Sequence, residues 1–228
     1  MQISPIAVIK SDFVTKFGIP RQSGLVNQLK QTIVFEPEYR NSDFLRGIEG
    51  FSHIWLIWGF SQARRGRVLP TVRPPRLGGN KRMGVFATRS PFRPNALGLS
   101  AVKLEKVIHS CESGPQLIVS GADLLDATPI YDIKPYIAFS DSYPDASGGF
   151  SDEVRDNHLQ VEIADEFKKL FSDEMLGALS DILKEDPRPA YQNDPDRVYG
   201  FKLGCYEIKF VVGDDRVLRV CDVEEKGD

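Results

Sequence analysis

Three segments of this chain hold polar and charged side chains on turns and loops rather than on a helix face. Arg89-Ser-Pro-Phe-Arg-Pro-Asn95-Ala-Leu-Gly98 sets two arginines four apart, fixed by prolines, with an amide just ahead of a glycine-containing strand. Guanidinium groups are planar, permanently charged and bidentate, which suits phosphate and carboxylate partners. Gly121-Ala-Asp-Leu-Leu-Asp-Ala-Thr-Pro-Ile-Tyr-Asp-Ile-Lys-Pro-Tyr136 gathers Asp123, Asp126, Tyr131, Asp132 and Lys134 directly after an apolar strand. Carboxylates at a strand end can hold ribose hydroxyls, balance a cationic cofactor or accept a proton; they also cap turns, and for Asp123 both readings stand. Pro20-Arg-Gln-Ser-Gly-Leu25 is a third glycine-bearing loop, weak as a signal by itself.

Charge adds a second constraint. Between Glu49 and Glu105 the sequence has no acidic residue but ten basic ones: Arg64, Arg65, Arg67, Arg73, Arg76, Lys81, Arg82, Arg89, Arg93 and Lys103. The whole chain is nevertheless mildly acidic, with a formal net charge of −3. Such segregation builds a local positive field, and a polyanion is its natural partner. Pairing of the arginines with the acidic C-terminal region, or with that of a second subunit, would exploit the same segregation.

Other chemistries find no footing. There is no Gly-x-Gly-x-x-Gly after a strand, no P-loop and no Gly-x-Ser-x-Gly, so neither dinucleotide folds nor acyl-transfer catalysis are indicated. Three widely spaced cysteines and three histidines give neither a disulfide framework nor a metal-ligand spacing. The longest apolar run, Ile54-Trp-Leu-Ile-Trp58, is too short to cross a membrane. The opening residues lack the charged and apolar regions of a secretory leader, so a cytoplasmic protein is expected.

The elements that must position these residues are mostly strands. Ile3–Ile9, Thr32–Phe35, His53–Trp58, Met83–Phe86, Leu97–Ile108 and Gln116–Ser120 are short, apolar or alternating, and flanked by Gly, Pro and Asn. Within Phe51-Ser-His-Ile-Trp-Leu-Ile-Trp58, His53 reads as a core or rim histidine of a buried strand. Many strands with little helical periodicity predict a closed or nearly closed sheet over residues 1–140. Asp141 to Gly149 reads as a linker. Residues 141–228 hold 22 acids and 11 bases. There, Phe167, Leu170, Phe171, Leu176, Leu179, Ile182 and Leu183 predict a helix or helix pair over about 165–184, followed by a small antiparallel meander. The expected fold is mainly β, a barrel followed by a small α+β domain.

The strings Phe51-Ser-His-Ile-Trp55, Arg73-Pro-Pro-Arg-Leu-Gly-Gly79, Met83-Gly-Val-Phe-Ala-Thr-Arg89, Phe92-Arg-Pro-Asn95, Asp132-Ile-Lys-Pro-Tyr136 and Asp186-Pro-Arg-Pro-Ala-Tyr191 carry a resemblance. In order and nearly full length, the chain resembles the TsaA/YaeB-like family of tRNA methyltransferases, which methylate N6 of threonylcarbamoyladenosine beside the anticodon. The resemblance implies an S-adenosylmethionine enzyme on a single-sheeted β-barrel, usually a homodimer, acting on the tRNA anticodon stem-loop without membrane or metal.

Carried onto matching positions, cofactor contacts are expected at Ser23, Gly24 and Leu25, at Ser61 and Gln62, at Arg89, at Leu99, and at Asp123, Leu124, Leu125 and Asp126. Family members often have His where this chain has Ser61, so a backbone contact is expected there. RNA contacts are expected at Arg73, Arg76, Lys81, Arg82, Arg93, Asn95 and Lys134, with Phe92 or Tyr136 available to stack a base. The urea-like N6 is a poor nucleophile, which makes a base desirable; Asp126, Tyr131 and Asp132 are the candidates. An RNA-binding module without catalysis, and a methyltransferase of another nucleoside-like substrate, stay open beside this reading.

Overall fold

The computed structural model describes residues 2–62, 68–77, 81–154, 158–188, 192 and 194–226. Arg64, Arg65, Arg67, Gly78, Gly79, Ala190 and Tyr191 lie outside the described residues, as does the side chain of Arg76. The strands of the first part are β1 (Ala7–Lys10), β2 (Lys30–Phe35), β3 (His53–Gly59), β4 (Thr71–Val72), β5 (Met83–Gly84), β6 (Leu97–Ile108), β7 (Gln116–Ser120) and β8 (Pro129–Pro135). A short helix α1 (Ala138–Asp141) leads to β9 (Gln160–Glu162), helices α2 (Asp165–Lys168) and α3 (Asp173–Lys184), and strands β10 (Tyr199–Leu203), β11 (Tyr206–Val212) and β12 (Val217–Glu225).

Six strands close in the order β1-β2-β7-β6-β3-β8, all antiparallel, so the expected barrel is the fold observed. Its logic is the period of two along each strand. On β3, Ile54, Leu56 and Trp58 point inward and are buried, while Trp55 and Ile57 face out. Ile9, Ile33, Val102, Leu117, Val119, Leu124 and Ile130 fill the same interior. Two bulges bend the wall: Glu105 is the extra residue of β6 against β7, and Tyr131 is the extra residue of β8 against β3.

Strand β8 lies within a segment read from sequence only as a cluster of polar groups. Its Asp132 and Lys134 face outward in step with the alternation, which the bulge at Tyr131 interrupts. The predicted strand at Met83–Phe86 shrinks to the two-residue β5, paired with β4 as a hairpin that carries the arginine-rich loop. Of the helix or helix pair expected over 165–184, the pair is what forms, as α2 and α3. Ser172 caps α3, its Oγ accepting from the Met175 N–H at 3.2 Å, with Asp173 and Glu174 in the first turn.

A four-stranded sheet, β10-β11-β12-β9, completes the C-terminal part, and β9 joins it parallel to β12. The second core under this sheet draws on the whole chain. Phe13, Val26 and Leu29, all from the segment between β1 and β2, are buried with Phe171, Leu179, Leu183, Phe201 and Phe210. The segment read as a linker is also tied down, since Asp141 accepts the Trp55 indole N–H at 2.9 Å on the barrel's outer wall.

Candidate functional site

Antiparallel closure brings three connections to one end of the barrel: residues 11–29 after β1, 60–96 after β3 and 121–128 after β7. Most of the candidate residues sit on them. Gly24 N–H donates to the Gly121 carbonyl at 2.8 Å, and the Asn27 amide donates to the Gly24 carbonyl at 2.8 Å. Gly121 holds φ of +78°, and a Cβ there would stand 2.6 Å from Asn27 Oδ1, so only glycine permits this close apposition. On the other loop, nothing lies within 4 Å of the Cβ position of Gly24; that face is open.

Beside this contact, Arg89 donates to the Gln22 side-chain oxygen. Its charge also reaches Asp123, the half-buried carboxyl at the mouth of the barrel. Asp123 is held from within: Trp58 Nε1 donates to Ser100 Oγ at 2.9 Å, and Ser100 Oγ donates to Asp123 Oδ1 at 2.6 Å. Burial pushes the Asp123 carboxyl above the ordinary carboxylate range, against the opposing pull of the Ser100 hydrogen bond and the Arg89 charge. Gly24, Arg89 and Asp123 are therefore gathered in one place, joined by Gln22, Ser100 and Trp58, which sequence reasoning missed. Ser100 did leave a signal: it is the one hydroxyl at an inward position of β6, where Val102 and Leu104 follow.

Next to the rim opens a cavity of about 890 Å³. Ser61, Phe92, Arg93, Asn95 and Tyr131 line it, with apolar walls from Ile3, Phe60, Val68 and Leu69. The bulge at Tyr131 turns that residue toward Gly59, whose Cβ position lies 2.7 Å from the tyrosine ring. Arg93 is oriented by donation to the Thr88 carbonyl at 3.1 Å. The Gln62 carbonyl accepts from Lys16 Nζ at 2.6 Å, linking the first two connections.

The remaining candidates lie elsewhere. Asp126 accepts the Ser11 N–H at 3.0 Å while its own N–H donates to the Phe13 carbonyl, so it braces the foot of the first loop. Its charge, after burial, helps raise the Asp12 carboxyl pKa. Leu124 is fully buried in the barrel, leaving only its backbone to face a ligand. Asp132 and Lys134 form an ion pair of 2.9 Å on the outer wall, on the face that also carries Leu99, 55% exposed and opposite Ile57. Arg73, Lys81 and Arg82 are exposed on the hairpin loop. No group of three metal-ligating side chains occurs among the described residues.

The cluster at the rim suits an adenosyl sulfonium amino acid. A carboxylate can accept ribose hydroxyls, a guanidinium can meet an α-carboxylate, and an open glycine backbone beside Leu25 admits a flat ring. Comparison with known proteins gives the family. The profile of the tRNA-methyltransferase O N-terminal domain matches residues 8–142, and that of the TrmO C-terminal domain matches residues 156–226. The tRNA (adenine(37)-N6)-methyltransferase of Escherichia coli is 39% identical over 222 residues, covering 93% of this chain and 94% of that protein. A probable S-adenosyl-L-methionine-binding protein of Methanothermobacter thermautotrophicus is 38% identical over 144 residues, covering 62% of this chain and 94% of its own length. The crystal structure of TrmO from Pseudomonas aeruginosa superposes with a TM-score of 0.76 at 33% identity, covering 98% of both chains. Two profiles that together span most of the chain, with full-length relatives and the shared barrel, make the chain a member of the tRNA-methyltransferase O family.

Proposed function

We propose that this protein transfers a methyl group from S-adenosylmethionine to N6 of the threonylcarbamoylated adenosine at position 37 of tRNA. The observation that carries the reading is the near full-length likeness to an adenine-37 N6-methyltransferase, in a chain whose barrel rim gathers Gly24, Arg89 and Asp123. When bound, the cofactor supplies an electrophilic methyl on a sulfonium. The protein has to bring N6 into line with that methyl and keep water away.

Asp123 and Arg89 hold the two polar ends of the cofactor, while Ser23, Gly24 and Leu25 close over it. The cavity beside them receives the unstacked nucleoside, with Phe92 as a stacking wall and Asn95 and Arg93 as donors. Of the three candidate proton acceptors, Tyr131 is the one lining the cavity, and its hydroxyl is the group we assign to the N6–H. The acid-free hairpin with Arg73, Lys81 and Arg82 grips anticodon stem-loop phosphates. Homodimerisation through the outer wall bearing Ile57 and Leu99, and residence in the cytoplasm with the tRNA, belong to the same proposal.

Labelled cofactor with two tRNA preparations tests it. tRNA carrying the threonylcarbamoyl group should yield labelled nucleoside, and the unmodified transcript should yield little. Equal labelling of both would remove the substrate assignment. No labelling despite calorimetrically measured cofactor binding would point to another methyl acceptor.

A further inference from the structure

The segment between β1 and β2 turns two different faces to two different parts of the molecule. Residues on both sides of Gln22–Leu25 are planted in the C-terminal part. Before them, Phe13 is buried in the second core and Phe17 and Ile19 pack against it. The Asp12 carbonyl accepts the Gly204 N–H at 2.8 Å, and Arg21 donates to the Asp186 carbonyl at 2.7 Å. After them, Val26 and Leu29 are buried in the same core, and Gln28 donates to the α3 residue Asp181 at 2.7 Å. The arch between these feet faces the barrel through Gly24 to Gly121 and Gln22 to Arg89, beside the barrel contacts that Ser11 and Phe13 make with Asp126 and Lys16 makes with Gln62.

A connection this long, left to itself, would sample many shapes, and ordering it on ligand binding would lower affinity. Here the ordering is done in advance by residues some 150 positions later. The tightest point is Gly18. It has φ of +88°, and any Cβ there would run into the Phe201 ring, so loop and sheet are fitted to each other without slack.

We infer that the C-terminal unit is the positioning device for the cofactor loop: through Phe201 against Gly18 and Asp181 on Gln28 it fixes the arch at Ser23–Leu25 in its binding shape. The inference rests on the reading that this arch touches S-adenosylmethionine.

The test is calorimetric titration of the full-length protein with S-adenosylmethionine, paired with steady-state kinetics. Gly18→Ala should weaken cofactor binding about tenfold and raise the cofactor KM to match. At saturating cofactor, kcat and the tRNA KM should stay within about twofold of the parent. Asp181→Ala should weaken binding about threefold, whereas Asp181→Asn, which keeps an oxygen acceptor for Gln28, should not; this pair carries the test where Gly18→Ala does not fold. Arg89→Ala is the control for the site itself. Loss of cofactor affinity in Arg89→Ala with none in Gly18→Ala or Asp181→Ala overturns the positioning role. Unchanged affinity in all variants, Arg89→Ala included, instead shows that the cofactor is bound elsewhere and removes the reading underneath.

Discussion

In the proposed site, a guanidinium and a half-buried carboxyl at one rim divide the work of holding a zwitterionic, sulfonium-bearing ligand. Arg89→Ala should therefore reduce cofactor affinity about tenfold while leaving tRNA affinity nearly unchanged, as separate titrations of the two ligands would show. Asp123 carries a cost in the ligand-free protein. Its folded pKa lies above the unfolded value, so ionisation is harder when folded, and stability falls as pH rises from the ordinary carboxylate range through the raised value. Asp123→Asn keeps an acceptor for Ser100 and removes the ionisation. It should be more stable than the parent at neutral pH by ~1 kcal/mol, with weaker cofactor binding, the pattern of a site that trades stability for function. Denaturant melts at pH 3 and pH 7 check this, because the stability gain must vanish at the acidic end. Tyr131→Phe should lower kcat at least tenfold without moving the cofactor Kd; an unchanged kcat would leave the hydroxyl without a part in proton handling.

At the scale of elements, the hairpin of β4 and β5 carries the basic loop. Binding led by phosphate contacts weakens with salt, and each lost contact lowers the slope of log affinity against log salt by about one. Arg73→Ala and Arg82→Ala should each show that change in filter-binding isotherms, with cofactor affinity preserved. How far the elements were legible in the sequence depends on what their outer faces carry. β6 and β7 read straight from the alternation, since their outward positions are tolerant of either polarity. β8 did not, because the bulge at Tyr131 broke its period. The candidate site was legible where charged side chains stand on turns next to apolar strands, as at Arg89 and Asp123. Gln22 and Ser100 were not, because an amide in a loop and a hydroxyl in a strand are ordinary until the barrel closes and brings them to one rim.

Viewed whole, the molecule has two cores and one continuous dependence between them. Phe13, Val26 and Leu29 cross from the barrel's first connection into the second core, and Trp55 is bonded to the start of the segment that joins the two parts. Such coupling favours a single cooperative transition. Both tryptophans, Trp55 and Trp58, lie in the barrel. Thermal unfolding followed by their fluorescence and by far-UV circular dichroism should therefore coincide, and two resolved midpoints would contradict the coupling.

The shared core also sets a calendar for the growing polypeptide. Phe13, Val26 and Leu29 leave the ribosome well before Phe201 and Phe210, which bury them. Synthesis runs at about 5–20 residues per second, so those apolar groups stay uncovered for on the order of ten seconds. The barrel strands have all been translated by residue 135, yet the arch on its rim must wait for the last sheet. A chain interrupted before β10 is thus left with a sticky, unset rim. Completion of the C-terminal sheet is the moment at which the newborn protein covers these apolar groups and, on the proposed positioning role, sets the arch in its working shape.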